Sequence, residues 1–334
     1  MTSDTALKTE DLELQLFLEA VYQRYHYDFR GYSKASIKRR LLLARERMGC
    51  TTFSALQERM LHDRAVLPQL LDYLTVQVSD MFRDPGYFRA LREQILPHLK
   101  TYPSLKVWVA GCSSGEELYS LAILFREEGL ENKTMFYATD INAGALAKAE
   151  AGVYDLQRIA LFTRNHRLAG GKGSLSDYYT AAYGAARLDK SLRRRTVFSD
   201  HSLVSDSVFA EVHLVSCRNV LIYFDRPMQD RAIGLFKEAL VRKGFLGIGA
   251  RERVCASTPT SRRSRSYSPA SGFIRNEAMN DDSPPAGMPA RITRYRHRSV
   301  RRSGRRAVVP PAPADGRLPT GNPGHGTRAR RQAQ

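Results

Sequence analysis

Cysteine is scarce in this chain, and no apolar run is long enough to cross a membrane. Four cysteines, Cys50, Cys112, Cys217 and Cys255, are scattered through 334 residues. This spacing fits neither a metal site nor a disulfide-rich scaffold. A membrane helix needs about 18 or more consecutive apolar residues, and the acidic N-terminus lacks the basic and apolar parts of a signal peptide. We therefore expect a cytoplasmic protein with reduced thiols and no membrane insertion.

The positive charge of the chain is unevenly distributed. The formal net charge is +18, but the segment from Arg251 to the end holds 18 arginines, no lysine and 5 acids, with 10 of the 15 prolines. A net charge of about +5 is left for residues 1–250, which is ordinary for a soluble domain. We therefore do not expect nucleic acid as a partner. The alternative is a nucleic-acid-binding protein that relies on the arginine tail, whose salt-sensitive binding would disappear when residues 254–334 are deleted.

The strongest structural signal lies between Lys106 and Asp140. It predicts a buried strand (Val107–Ala110), a turn of small residues (Gly111–Gly115) and a helix (Glu116–Glu128). A second strand (Met135–Ala138) and an acidic residue, Asp140, follow. The continuous apolar run is typical of a strand buried on both faces of a parallel sheet. Such a strand–helix–strand unit places a ligand over the carboxyl ends of its strands.

The polar residues of this unit indicate the kind of ligand. Asp140 follows the second strand, where it can accept hydrogen bonds from ribose hydroxyls. The turn lacks the G-x-G-x-x-G pattern of dinucleotide enzymes, and Glu116 and Glu117 at the helix N-terminus would repel a phosphate. A nucleoside with a cationic or amino group, such as S-adenosylmethionine, fits better. The same residues are also compatible with an ordinary structural unit that carries an N-terminal charge pair.

The first 75 residues predict an all-helical domain. The predicted helices are Asp11–Tyr27, a second one between Ser33 and Gly49, Phe53–Leu61 and Val66–Leu74. In the second helix, apolar residues at helical spacing predict the buried face, and basic residues cover the rest, namely Lys34, Lys38, Arg39, Arg40, Arg45 and Arg47. This basic surface is either a solvated helix face or a docking surface for an acidic helix.

Arg83 stands out because it follows the apolar pair Met81 and Phe82 and lies between Asp80 and Asp84. It is either a plain surface arginine or a partly buried one. A partly buried guanidinium is well suited to orient a carboxylate.

The second half of the chain predicts the rest of a sheet. Helix Asn142–Ala151 is followed by an irregular region, Gly152–Arg195, that we expect to hold loops and a small antiparallel insertion. Short strands, Thr196–Phe198 and Val212–Ser216, come next, and Arg218, Asn219 and Tyr223 follow the second of them at its carboxyl end. Asp225 is expected to cap the next helix, and Phe245–Ile248 is a last apolar strand.

Four motifs together resemble one family. VQVSDMFRDP, AGCSSGEELYSLA, FYATDIN and CRNVLIYFD are similar in order and spacing to those of the chemotaxis receptor glutamate O-methyltransferases of the CheR type, over about Asp11 to Ala250. The resemblance implies an α/β fold: an N-terminal all-helical domain, then a doubly wound class I S-adenosylmethionine-dependent methyltransferase sheet with a small antiparallel β insertion. The predicted division is 1–85 for the helical domain, 86–250 for the methyltransferase domain with the insertion at 152–198, and 251–334 for a disordered tail.

The resemblance also implies an activity, a cofactor and partners. The enzyme would methylate glutamate side chains of methyl-accepting chemotaxis receptors, with S-adenosyl-L-methionine as cofactor and no metal. The basic helix Ser33 to Met48 would dock on acidic receptor helices, and the protein would act as a monomer.

The family motifs imply the following site residues. Arg83 and Tyr223 would be catalytic, and the cofactor-binding set would be Gln77, Ser79, Arg83, Glu116, Glu117, Asp140, Ser202, Leu203, Arg218 and Asn219. One of the two glutamates would hold the methionine amino group. Gln77 and Ser79 stand where asparagine and threonine are common, Leu118 replaces a frequent proline, and Ser202 replaces a frequent asparagine. The shorter Ser202 makes its contact the weakest of these assignments.

The tail departs from the family pattern. A sheet of this kind normally has one more strand after Phe245–Ile248, but beyond Glu252 the composition turns to Arg, Ser and Pro. In another reading frame, codons for Val254 to Arg275 permit LRFDTHVEAFEELFAGERIYQ, which resembles the missing C-terminus. Two interpretations stay open, a frameshift near Arg253 or a natural disordered tail. Loss of the closing strand would leave a catalytically impaired scaffold that binds receptors, which is the alternative function.

Overall fold

The computed structural model of the chain describes residues 3–252 and 272–276. All of these belong to one compact unit. Most of the predicted tail, including Cys255, therefore lies outside the described residues. Within the two described ranges, no helix combines the length and apolar composition that a membrane span requires.

The N-terminal part consists of four helices, as predicted. They are α1 (Ser3–Tyr25), α2 (Lys34–Arg47), α3 (Phe53–His62) and α4 (Val66–Leu74). Of the four residues predicted for the buried stripe of α2, Ile37, Leu41 and Ala44 are buried in one apolar cluster with the other three helices, and Met48 packs partly buried against it. Apolar residues at a spacing of three or four lie on one side of a helix, so four such helices can share one core.

The second part is built on a six-stranded mixed sheet. Its strands are β1 (Leu105–Ala110), β2 (Thr134–Asp140), β6 (Thr196–Asp200), β7 (Val212–Cys217), β8 (Leu240–Ile248) and β9 (Phe273–Arg275), in the spatial order β6-β2-β1-β7-β8-β9. The first five are parallel to their neighbours, and β9 is antiparallel to β8. The order reverses between β1 and β7, where parallel sheets open a crevice at the carboxyl ends of their strands.

Helices cover both faces of this sheet. They are α5 (Pro85–Ala90) and α6 (Leu96–Leu99), joined by the π-helical turn Leu91–Ile95, and α7 (Glu116–Glu127), α8 (Ala143–Ala151), α9 (Ile159–Leu168) and α10 (Arg226–Ala239). Val107 and Val109 of β1 belong to one apolar cluster, whereas Trp108 and Ala110 belong to the other. Side chains alternate between the faces of a strand, so the apolar run of β1 is explained by burial on both sides.

The insertion contains the small antiparallel sheet that we predicted. Its strands are β3 (Val153–Asp155), β4 (Tyr179–Ala182) and β5 (Ala185–Leu188), in the order β3-β5-β4. The prediction of an otherwise irregular region is wrong for α9, which lies between β3 and β4. Its buried residues Ile159, Phe162 and His166 have helical spacing, but the nearby glycines and tyrosines hid this signal.

The expectation that the sheet lacks its closing strand is also wrong. Strand β9 pairs with β8 through Leu246 with Ile274 and Gly247 with Phe273. Phe273 joins one apolar cluster and Ile274 packs against the other, so two alternating apolar residues suffice for a short edge strand despite the Arg/Ser/Pro-rich composition around them. The scaffold alternative, which rested on the loss of this strand, therefore loses its basis.

A cluster of buried ion pairs joins the π-helical turn to the end of α7. Arg92 contacts Glu127 and Glu128 at N–O distances of 2.6 and 2.5 Å, and these three side chains are 10%, 2% and 7% exposed. Burial acts to raise the pKa of Glu128, but hydrogen bonds from Lys100, Lys172 and Arg92 outweigh it and lower the pKa to about 2. Because the pKa is lowered, this stabilisation is complete above the ordinary value of 4.5 and is lost as the pH falls towards about 2.

Replacing Arg92 with methionine should leave Glu127 and Glu128 buried without their shared cation. We expect the free energy of unfolding at pH 7 to fall by about 3–5 kcal/mol, as measured by urea titration. The pKa values of the two carboxyls should rise, so the acid-induced loss of stability should begin at a higher pH than in the unchanged protein. Arg89→Met, at an exposed position one turn away, is the control and should change stability little. Equal losses in both variants would contradict the role of the cluster.

Candidate active site

A cleft lies over the carboxyl ends of β1, β2 and β7, where the strand order reverses. It encloses about 1050 Å³ when the space at its open mouth is included. The α1–α2 connection, the segment after α4 and the loop after β7 complete its walls. Ten of the eleven predicted site residues line it, namely Gln77, Ser79, Arg83, Glu117, Asp140, Ser202, Leu203, Arg218, Asn219 and Tyr223. The eleventh, Glu116, does not.

The turn after β1 holds Asp140 at the floor of the cleft. The amide of Ser113 donates to Asp140 Oδ2 at 2.8 Å, and the amide of Asn142 donates to Oδ1 at 3.0 Å. Burial raises the pKa of Asp140, and the hydrogen bonds from these backbone amides act in the opposite direction. Each carboxylate oxygen has two acceptor sites, so Asp140 can still accept hydrogen bonds from two neighbouring hydroxyls of a ligand.

The two glutamates at the start of α7 point in different directions. Glu116 is fully buried outside the cleft, where it accepts hydrogen bonds from Arg158 at 2.9 Å and from Ser114 at 2.7 Å. Glu117 faces the cleft and accepts hydrogen bonds from Ser216 Oγ at 2.5 Å and from Arg218 Nη1 at 3.1 Å. Only Glu117 can therefore meet a ligand.

Gly115 sets the entry of α7. Its φ angle is +91°, in the left-handed region that favours glycine. A Cβ atom at this position would also lie 2.8 Å from Cβ of Ala149 on α8. The small residues of the turn thus allow α7 and α8 to approach each other closely behind the cleft.

Arg218 is part of the frame of the cleft rather than a free cation. Its side chain is 1% exposed, and Nη2 donates to the carbonyl of Arg83 at 2.8 Å and to Asp84 Oδ2 at 2.9 Å. Its guanidinium also lies 4.1 Å from the ring centre of Tyr87. Together with Glu117, these contacts tie the loop after β7 to the segment that carries Arg83.

Arg83 is partly buried, as one of our two interpretations proposed, and lines the cleft. Its neighbours Phe82 and Asp84 both have positive φ angles, 52° and 55°. Within the described residues, the guanidinium of Arg83 makes one hydrogen bond, from Nη1 to the carbonyl of Val78 at 3.3 Å. Arginine has five N–H donors, so most of the Arg83 donors are available to a ligand.

Glu252 supports the loop after β7, and the sequence reasoning missed it. Glu252 is 4% exposed, and its carboxylate accepts hydrogen bonds from the amides of Asn219, Leu221 and Gly249 at 2.9, 2.8 and 2.6 Å. Asn219 has a φ angle of 61°. One buried acid thus holds the turn that carries Asn219. A lone acid between the last long strand and a basic tail was its only sequence signal.

The helical domain contributes to the cleft more than predicted. Arg40 lines it, with Nη1 donating to the carbonyl of Leu74 at 2.6 Å and the guanidinium 4.9 Å from the ring centre of Tyr223. Burial lowers the pKa of Arg40. The amide of Ser33 donates to the carbonyl of Tyr223 at 2.9 Å. Arg40 therefore belongs to the cleft rather than to the outer basic surface of α2, and the helical domain helps to fix Tyr223.

The remaining predicted residues lie at the sides of the cleft. Leu203 is buried, and Ser202 Oγ accepts hydrogen bonds from the amides of Val204 and Ser205 at 3.3 and 3.2 Å. Gln77 Oε1 accepts a hydrogen bond from Ser113 Oγ at 2.8 Å.

The hydrogen-bond acceptors and the apolar surface of the cleft fit S-adenosylmethionine. Asp140 can accept hydrogen bonds from ribose hydroxyls, and Glu117 supplies an acceptor and a negative charge for an ammonium group. Leu203 offers an apolar surface for a base. Within the part of the chain that the structure describes, no group of three or more His, Cys, Asp or Glu side chains is arranged to hold a metal ion.

Comparison with known proteins agrees with this geometry. A family model described as "CheR methyltransferase, SAM binding domain" matches residues 77–268, and one described as "CheR methyltransferase, all-alpha domain" matches residues 12–75. The chain is 55% identical over 258 residues to Cher3 of Pseudomonas putida, provisionally named a methyltransferase, covering 77% of this chain and 94% of that protein. It is also 30% identical over 240 residues to the chemotaxis protein methyltransferase of Listeria monocytogenes, covering 71% and 88% of the two chains.

Replacing Glu252 with alanine should leave the buried amides of Leu221 and Gly249 and the partly buried amide of Asn219 without an acceptor. We expect the free energy of unfolding to fall by about 3 kcal/mol, and amide hydrogen exchange to accelerate most at Asn219, Leu221 and Gly249. Exchange followed by mass spectrometry or NMR would measure this. Glu238→Ala, at an exposed glutamate of α10, is the control. Unchanged exchange at these three amides in Glu252→Ala would show that the carboxylate does not hold the loop.

Proposed function

This chain belongs to the CheR methyltransferase family, with S-adenosylmethionine as its cofactor, and we propose that it methylates glutamate side chains of chemotaxis receptors. The observation that carries the proposal is the position of Arg83. Its largely unused donors face the same cleft as Glu117 and Asp140, so an incoming carboxylate can be bound beside the cofactor site.

We assign the roles of the cleft residues from the family motifs, together with the contacts that each residue makes. Glu117 would bind the methionine ammonium and Asp140 the ribose, while Ser202 and Leu203 would lie beside the adenine. Gln77 and Ser79 would line the methionine side near Arg83. Arg218 and Asn219 would shape the site through the loop after β7, since the Arg218 guanidinium is already engaged by Glu117, Asp84 and the Arg83 carbonyl. Glu116 takes no part in this assignment because it lies outside the cleft.

The chemistry demands positioning more than acid–base catalysis. S-adenosylmethionine supplies a methyl group that its sulfonium already activates, and an ionised glutamate is already a nucleophile. Arg83 would orient the substrate carboxylate through paired N–H donors, which is the geometry that arginine favours for this group. Tyr223, fixed by Ser33 and lying beside Arg40, would pack against the substrate side chain. Alignment of this kind can supply much of the acceleration of a two-substrate reaction.

The receptor partner is supported by the names of the relatives and by charge. Several relatives are named chemotaxis protein methyltransferases. In α2, Lys38 and Arg45 are paired with acids of α1, whereas Lys34, Arg39 and Arg47 are exposed. We propose that these three form the part of the Ser33–Met48 helix that contacts an acidic receptor helix.

The finer features of the enzyme are also proposals. Cys50, Cys112 and Cys217 are free thiols, which supports a reducing compartment such as the cytoplasm. Action as a monomer stays a prediction. We retain the proposed division into a helical part, residues 1–85, and a methyltransferase part, residues 86–250, and extend the latter to include β9.

Replacing Arg83 with alanine should remove the donors that orient the substrate. We expect the methylation rate to fall about a hundredfold or more, while the affinity for S-adenosylhomocysteine changes far less, because Glu117 and Asp140 are intact. Transfer of radiolabelled methyl groups to receptor and calorimetric titration would measure the two quantities. Arg89→Ala is the matched control. Unchanged methylation by Arg83→Ala would refute the assignment.

Replacing Arg39 with glutamate should weaken docking without touching the cleft. We expect KM for the receptor to rise several-fold at low salt, with the difference shrinking as salt is added, because the contact is between exposed charges. The affinity for S-adenosylhomocysteine should be unchanged. Lys237→Glu, an equal charge reversal on the exposed side of α10, is the control. An equal rise of KM in both variants would count against the docking surface.

A further inference from the structure

Tyr87 is a buried residue for which neither the family motifs nor the assignment above gives a role. It lies on α5, is 6% exposed, and stacks on Phe273 of β9 with ring centres 4.5 Å apart and planes 18° from parallel. A Cβ atom at Gly247 of β8 would overlap the Tyr87 hydroxyl. The closing strand and a glycine of its neighbour thus form a fitted space for this side chain.

The hydroxyl of Tyr87 begins a chain of hydrogen bonds that ends at the cleft. Tyr87 Oη lies 2.8 Å from Ser216 Oγ, and Ser216 Oγ lies 2.5 Å from Glu117 Oε1. The Glu117 carboxylate can only accept, so the single hydroxyl proton of Ser216 is donated to it. Tyr87 must therefore donate to Ser216. Burial, followed by the nearby Glu117 charge, raises the pKa of Tyr87, so the tyrosine keeps the proton that this direction requires.

The second oxygen of Glu117 is held from the same side. Arg218 Nη1 donates to Glu117 Oε2 at 3.1 Å, and the Arg218 guanidinium lies over the Tyr87 ring. Tyr87 therefore contacts both groups that orient Glu117, one through its hydroxyl and the other through its ring. A phenylalanine would keep the ring that stacks on Phe273 and lies under Arg218, so Tyr87→Phe removes the hydroxyl and leaves the ring contacts in place.

We propose that Tyr87, clamped by Phe273 of the closing strand, is a positioning residue that orients Glu117 through Ser216 for binding of the cofactor ammonium group. The inference rests on the proposed role of Glu117. According to this proposal, residues 272–276 of the tail support the active site, because Phe273 holds the Tyr87 ring and the Tyr87 hydroxyl aligns the Glu117 carboxylate. The amino group of the cofactor, rather than its base or ribose, is the part whose binding depends on Tyr87.

The test compares two ligands in Tyr87→Phe. One is S-adenosylhomocysteine, and the other is its analogue without the amino group, both titrated calorimetrically. We expect the variant to bind S-adenosylhomocysteine about tenfold more weakly, in keeping with the loss of one hydrogen bond that supports a charged group. Binding of the analogue should be unchanged. In assays, KM for S-adenosylmethionine should rise while KM for the receptor stays the same.

Three further variants make the outcome decisive. Glu117→Gln should also weaken binding of S-adenosylhomocysteine and leave binding of the analogue unchanged. Phe273→Leu should have the same effect to a smaller extent. Ile274→Ala, on the opposite face of β9, should change the binding of neither ligand. Urea unfolding of each variant confirms that only folded protein is compared.

The results separate the possible failures. If Tyr87→Phe weakens both ligands equally, or neither, the positioning role is overturned while the Glu117 assignment stands on its own variant. If Glu117→Gln does not weaken binding of S-adenosylhomocysteine more than binding of the analogue, the assignment of Glu117 fails and the inference fails with it. If Phe273→Leu behaves like Ile274→Ala, the contribution of the closing strand is overturned.

Discussion

The buried contact of Arg218 with Glu117 is the interaction on which the cleft depends most. It joins three segments that are far apart in sequence: the loop after β7, the start of α7 and the turn at Arg83–Asp84. A buried guanidinium needs partners for its charge and its donors. This frame engages both terminal nitrogens of Arg218, whereas most of the Arg83 donors stay available to a ligand. We therefore propose different tasks for these two arginines.

The helical domain and the sheet both contribute residues to the walls of the cleft. Backbone hydrogen bonds from Ser33 to Tyr223 and from Asp225 to Gly31, at 2.9 and 2.6 Å, join the α1–α2 connection to the loop after β7. Arg40 extends the same contact into the cleft. The helical domain, whose exposed cations we propose to contact a receptor, thus also forms a wall of the cleft.

Much of this fold follows from local patterns that sequence reasoning can detect. Helix α4 was predicted with its observed bounds, and β1 and α7 within two residues, since apolar periodicity and glycine stops act over a few residues. Helix α9 and strand β9 were missed for different reasons. The first has a weak pattern beside strong loop signals, and the second is three residues long and exists only because β8 offers an edge with which it can pair.

The sequence by itself determined which chemical groups this protein has: two acids at the start of a helix, an acid at the end of β2, and an arginine before α5. Only the tertiary structure decided which of the two acids serves the cleft. Successive residues of a helix point about 100° apart, so the packing of α7 on the sheet turns Glu117 towards Ser216 and Arg218 and Glu116 towards Arg158. The partners come from β7 and from the insertion. No local sequence pattern predicts these contacts of Glu116 and Glu117, because they join segments that are remote in the chain.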